Sequence, residues 1–356
     1  MDLNFDKIGP DTTKETIVNN YNLFLVDDHI PDIEQLKSFS GDAEEDSLDY
    51  LLDYKTVDKL FIFNYYLGFD KFKDNGFFYP SFFIGNIRAY ADTINLSTLD
   101  LDWNRKIISA NCLLNKERIH RHLVSHWFKK HFDWHKQLIY SQSWDKNNTL
   151  LPTKNYLKAK ELYLKHIDSV DNDFDQLPKN WFLFRNQSPN LYKMEDNIKI
   201  FSEVLYPQVF SKSIISIVIE PDFWSNACAV TEKYINSIIG LTIPIVTGYK
   251  VYEKLSLLGF DTFDDIISTE YQCETNPTKR VWRMLEENKI VFENAHSIIR
   301  DPSIRHRLIE NRKHLFDVNE IKKLSRNNLN TKKAEERFSS IKNDIMNYFR
   351  NHNCSW

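Results

Sequence analysis

The chain has 356 residues, 42% of them hydrophobic and 14% aromatic, and a net charge of -4. That length exceeds a usual single domain, so two units of about 150 residues are expected, and the apolar content excludes disorder for most of the chain. The mild acidity gives no global attraction to nucleic acid or to an anionic membrane.

The four cysteines, Cys112, Cys228, Cys273 and Cys354, lie far apart and form no CxxC pair. Neither a zinc knuckle nor a disulfide framework is expected from them, and free thiols in a reducing compartment are. The opening MDLNFDKIGPDTTKE lacks the basic start and apolar core of a signal peptide, and no window of about 18 apolar residues follows. The expectation is a soluble cytoplasmic protein with no membrane span. The abundance of Asn, Lys, Ile, Tyr and Phe beside only 8 Gly reflects an AT-rich coding genome, host or viral, and says nothing of activity.

In chain order, the acidic cluster GDAEEDSLDYLLDYKTVD at 41–58 reads as a solvated face or loop. KLFIFNYYLGFDKF and FFYPSFFIGNIRAYADTINLS, aromatic and β-branched and broken by Gly and Pro, read as strands and loops. RKIISANCLL is a buried strand. In NKERIHRHLVSHWFKKHFDW, Ile119, Leu123, Trp127 and Phe128 fall at helical spacing, with a strand-to-helix turn at about Asn115. QLIYS then completes a β-α-β order, the mark of a parallel sheet covered by helices. LPTKNYLKAKELYLKHIDSVDNDFDQLPKN reads as a helix between two Leu-Pro steps, near the interdomain connection. The second half repeats the alternation: NIKIFSEVLYPQVF, the strand SIISIVIE, the loop PDFWSNAC, a helix and strand at 229–249, the helix KVYEKLSLLG, and FDTFDDIISTEY. From Asp301 to Trp356 the chain holds 12 Lys or Arg against 7 Asp or Glu, which reads as a basic pair of helices. The expected division is an α/β unit at 1–150, a second at 151–300 and a helical tail at 301–356.

The stretch AVTEKYINSIIGLTIPIVTGY carries the sharpest signal. Ile235, Ile238 and Ile239 line one face of a short helix that Gly240 ends, with Thr231 as N-cap and Glu232 in the first turn. The preceding strand ends at Glu220, and in open α/β sheets ligands gather beyond the carboxyl ends of strands, where helix N-termini point N–H groups outward. Lys233 in that first turn opposes the helix dipole, which a bound anion would offset. A diphosphate fits, with Glu232 able to accept from ribose hydroxyls. Asn115, Arg118 and Arg121 stand at the head of the first-domain helix, and the two arginines share a face that can clamp phosphates.

Residues 218–248, VIEPDFWSNACAVTEKYINSIIGLTIPIVTG, resemble the donor-site signature of the α1,3-fucosyltransferase family. There, a strand ending in Glu leads to a Thr-Glu-Lys helix and then to a strand ending in "PI" or "PV" before Gly. The chain also resembles phage and giant-virus glycosyltransferase-like proteins, in which such a helix precedes a Leu-Gly-Phe-x-Thr-Phe-Asp segment, here LLGFDTFDDII at 257–267. The resemblance implies that Glu232 contacts the ribose, Lys233 the diphosphate, and that Glu220 lines the donor pocket. The fucosyltransferases keep a base-stacking aromatic residue two positions before the Thr, where this chain has Ala229; Phe223 and Trp224 are the nearby rings that can replace it.

His120, His122, His126, His131 and His135 crowd one segment, yet no HExxH motif is present, so no metal is expected. Abstracting the acceptor's proton requires a base on the first-domain side, for which His120 and Asp145 are nominated. The carboxylates of DTFDD read as a solvated helix start rather than nuclease metal ligands. These features together imply two Rossmann-like domains facing a cleft, a GT-B-like arrangement. The expected activity is metal-independent transfer of a sugar from a nucleotide-diphosphate donor to a glycan or other hydroxyl acceptor. The alternatives are a viral DNA glycosyltransferase, with nucleic acid reached only through the basic tail, and a non-catalytic sugar-nucleotide-binding module.

Overall fold

A computed structural model of the chain describes residues 5–8, 23–26, 60–63, 66–72, 76–93, 102–113, 123–124, 127–128, 130–132, 139–140, 199–200, 203–204, 210, 212–220 and 227–351. The cluster at 41–58 and the helix expected at 151–180 lie outside them. The first strands are β1 (Phe5–Ile8), β2 (Leu23–Val26), β3 (Leu60–Phe63), β4 (Tyr66–Phe69) and β5 (Gly76–Phe78). Of these, β1, β2, β3 and β5 form a four-stranded parallel sheet in that order.

Ser81–Thr93 is a helix, α1, where the aromatic run reads as strands and loops. Phe83, Ile84, Ile87 and Tyr90 recur at i, i+1, i+4 and i+7 and all are buried. That helical period outweighs the strand-like composition, and Pro80 stands just ahead of the first turn, where a missing N–H is harmless.

The later strands are β6 (Ile108–Leu113), β7 (Ile139–Tyr140), β8 (Lys199–Ile200), β9 (Glu203–Val204), β10 (Ser213–Val218), β11 (Ala227–Ala229) and β12 (Ile243–Val246). A second four-stranded parallel sheet runs β12-β10-β6-β7. Residues 123, 124, 127, 128, 130 and 131 are helical between β6 and β7, with Leu123, Val124, Trp127 and Phe128 buried, so the β-α-β order forms. β6 pairs with β10, Ala110 opposite Ile215, so this sheet draws strands from both sides of residue 150. β11 pairs antiparallel with β4, inside what reads from sequence as a loop.

β10 is central and buried at every position, as a strand with both faces covered must be. β12 carries Pro244, which an edge strand accepts and a central one rejects. Side chains take its outward backbone groups. The Tyr252 hydroxyl donates to the Pro244 carbonyl (2.9 Å) and accepts from the Val246 N–H (3.1 Å). The Tyr271 hydroxyl and the Gln272 amide donate to the Val246 carbonyl at 2.8 and 3.2 Å. Among the described residues these side chains, and no further strand, close the edge.

The remaining helices are α2 (Glu232–Ile239), α3 (Val251–Leu257), α4 (Pro277–Glu287), α5 (Lys289–Glu293), α6 (Ala295–Ile298), α7 (Pro302–Phe316), α8 (Val318–Asn328) and α9 (Lys332–Asn351). α7 packs on α2 and α1, and α8 on α1 and α3. α9 returns to the first sheet, where Phe338 stacks on Phe77 at 3.8 Å between ring centres. Just before it, Asn330 brackets the Phe78 backbone, accepting from its N–H at 2.6 Å and donating to its carbonyl at 3.1 Å. The basic tail is thus part of the packed body, with Ile304, Leu308, Leu315, Ile321 and Ala334 buried. Among the described residues no helix is long and apolar enough to cross a membrane.

Candidate functional site

The second sheet has a point from which its connections diverge. β6 is followed in the sheet by β7 on one side, and β10 by β12 on the other. In open parallel sheets the crevice outside the carboxyl ends of two such strands is where ligands bind. The carboxyl end of β10 leads through Ile219 to Glu220, and the head of α2 faces that glutamate.

Thr231 is extended, with φ of -110°, and its hydroxyl accepts from the Lys233 N–H at 3.4 Å, a weak version of the expected N-cap. The cap is itself held by Glu220. One carboxylate oxygen accepts from the Thr231 N–H at 3.0 Å and the other from the Thr231 hydroxyl. The Glu220 N–H donates to the Thr247 hydroxyl at 3.1 Å, and Thr247 in turn donates its N–H to the Val218 carbonyl at 3.1 Å. Glu220 is fully buried. Burial pushes its carboxyl up to about 7; the Lys233 charge and the bonds from Thr231 oppose that rise, and the Glu232 charge adds to it.

Lys233 lies with its ammonium 2.6 Å from the Glu232 carboxylate and 3.4 Å from the Thr231 hydroxyl. Both charged side chains are mostly covered, 17% exposed for Lys233 and 10% for Glu232. The four residues read from the sequence, Glu220, Thr231, Glu232 and Lys233, therefore converge on one point. Glu220 accepts from Thr231 with both oxygens and so orients the helix head, and Glu232 holds Lys233. The arrangement places a cation at a helix N-terminus, beside a carboxylate that an anion would have to compete with for the ammonium.

Asn115, Arg118, Arg121, His120 and Asp145 lie outside the described residues, as do Phe223 and Trp224. His131 is described. Its imidazole lies tilted against Trp127, 4.6 Å between ring centres, and 3.7 Å from the Glu286 carboxylate, which also accepts from the Trp127 indole. Among the described residues no three of His, Cys, Asp or Glu gather as a metal ion would require. Asp261 and Asp265 are both occupied by Arg307.

Thr247 joins the site unannounced by any motif; its one signal in the sequence is a hydroxyl residue just before a glycine at a strand's carboxyl end. Lys106 is buried and donates to the carbonyls of Phe210, Ser213 and Gly240 at 3.0, 2.6 and 3.0 Å, tying the carboxyl end of α2 to the start of β10. Burial and the nearby Arg312 charge push its amine down to about 7. Comparison of the chain with family models, curated proteins and solved structures returns no match in any of the three.

Proposed function

We propose that the chain is a glycosyltransferase of the GT-B-like type, moving a sugar from a nucleotide-diphosphate donor to a hydroxyl of a glycan or other acceptor without a metal. The observation that carries this reading is the position of Lys233, in the first turn of α2 beside the carboxyl end of β10, where the connections of a parallel sheet diverge. A diphosphate there is met by the Lys233 ammonium at the positive end of the helix, a placement that stabilises charge developing on a leaving diphosphate. Glu232, released from Lys233 when the anion arrives, becomes an acceptor for ribose hydroxyls. The resemblance of the Thr-Glu-Lys helix to fucosyltransferase donor sites supports the same assignment. The parallel sheet β12-β10-β6-β7 supports a donor side of α/β type, although it takes β6 and β7 from the residues expected on the acceptor side.

The test is a melting-temperature panel with nucleotide sugars, since a ligand that binds the native state raises it. The expected result is a rise with a nucleoside diphosphate or its sugar in the wild type and none in Lys233→Ala, whose melting without ligand stays close to wild type. Full transfer activity in Lys233→Ala would sink the proposal.

A further inference from the structure

The LLGFDTFDDII stretch after α3 is gripped by a single stripe of α7. Arg307, Asn311 and His314 stand at i, i+4 and i+7 and so share a helix face. Each holds a different part of the loop. His314 Nε2 donates to the Leu258 carbonyl at 2.7 Å. The Asn311 amide donates to the Asp261 carbonyl and accepts from the Asp261 N–H, both at 2.8 Å. Arg307 forks onto the Asp261 and Asp265 carboxylates at 2.5 to 2.9 Å and lies 4.7 Å from the centre of the Phe263 ring. Gly259 has φ of 90°, and a Cβ there would lie 2.8 Å from His314 Nε2, so only glycine fits under the clasp. Phe263 also takes a left-handed φ of 56°, a conformation that persists only where the surroundings over-determine it.

What the clasp fixes is Phe260. This buried ring stands edge-on to His314, 4.9 Å between centres, and edge-on to Tyr234, 5.7 Å and 89°. Tyr234 is the third residue of α2 and the neighbour of Lys233. α7 reaches the far end of the same helix through Arg312, which donates to the Ile239 carbonyl at 3.4 Å. An eight-residue helix is too short to hold itself, so its pitch is set by what packs on it.

We propose that Phe260 and Tyr234 are positioning residues: the clasp of Arg307, Asn311 and His314 holds the loop, Phe260 locks Tyr234, and Tyr234 sets the angle at which Lys233 meets an anion. The ligand in this statement rests on the proposed function; the mechanical link from loop to helix head does not.

The test compares Phe260→Leu, Tyr234→Leu, the double variant and the conservative Tyr234→Phe in the full chain. Affinity for GDP and UDP is measured well below the melting temperatures, with amide exchange at Lys233 and Tyr234. The expected result is a loss of about tenfold in affinity for either Leu variant, the upper end of what an edge-to-face ring pair contributes. The double variant loses no more than the singles, as coupled neighbours do, and Tyr234→Phe keeps wild-type affinity. Exchange at the two amides accelerates in the Leu variants while β10 stays protected. Lower melting with unchanged affinity and unchanged exchange overturns the proposal and leaves the clasp as packing alone. Wild-type protein that binds neither probe, with exchange still accelerated in Phe260→Leu, upholds the link and overturns the donor-site reading instead.

Discussion

Glu220 and Lys106 lie toward the two ends of β10, both buried, and their titrations oppose each other. Glu220 is raised from its ordinary 4.5 to about 7, so its contribution to stability is fully present below 4.5 and is lost as pH rises through 7. Lys106 is lowered from 10.5 to about 7, so its contribution is present above 10.5 and is lost as pH falls through 7. These two groups alone put a minimum of stability near neutrality. Denaturant unfolding across pH 4 to 8 checks this: Glu220→Gln is expected to gain roughly 3 kcal/mol relative to wild type between those limits. Equal pH profiles for the two proteins would show that Glu220 does not titrate there. At this scale the sequence was informative where residues cluster in a pattern, as in Thr231, Glu232 and Lys233. It was silent on Lys106, because a lone lysine ahead of a strand looks like any surface cation until three carbonyls converge on it.

Helix α2 illustrates how an element can be read correctly for a partly mistaken reason. It ends where Gly240 suggests, but Gly240 has φ of -75°, and the left-handed residue is Leu241 at 54°. Space rather than backbone freedom selects the glycine, since a Cβ would lie 2.0 Å from the Phe210 Cβ. In α1 the helical period outweighs an aromatic content typical of strands, and β11 is too short, at three residues, to show any period. β12 yields a prediction of its own. Tyr252→Phe leaves the edge-facing Pro244 carbonyl and Val246 N–H without their hydroxyl partner, at a cost of about 1–3 kcal/mol. Chemical denaturation measures it, and the loss should appear with the ring packing unchanged.

Across the whole molecule, the basic helical tail expected at 301–356 is packed into the body. The positive charge from 301 onward is partly internal: Arg307 is taken by two aspartates, and Arg312 is buried near the carboxyl end of α2. Truncation at residue 300 is therefore expected to abolish cooperative melting, where a loose basic arm would leave it intact. Charge reversal at the exposed Lys323, Arg326 and Lys332 is the cleaner probe of polyanion binding. It should leave melting and duplex-DNA affinity unchanged, whereas a fall in affinity with a shallower salt dependence would favour the DNA-modifying alternative. Burial separates these cations into internal and outward-facing sets, and charge counts along a sequence carry no such distinction.

The bond between Asn330 and Phe78 joins residues 252 apart in the chain. At a synthesis rate of roughly 5–20 residues per second, the surface of β5 waits on the order of 10–50 s for its cover. For that interval Phe77 lacks the Phe338 ring, and the nascent first sheet leaves this position open to solvent or to a chaperone. Slowing or speeding translation between these two points should change the soluble yield of this chain while leaving its equilibrium stability unchanged.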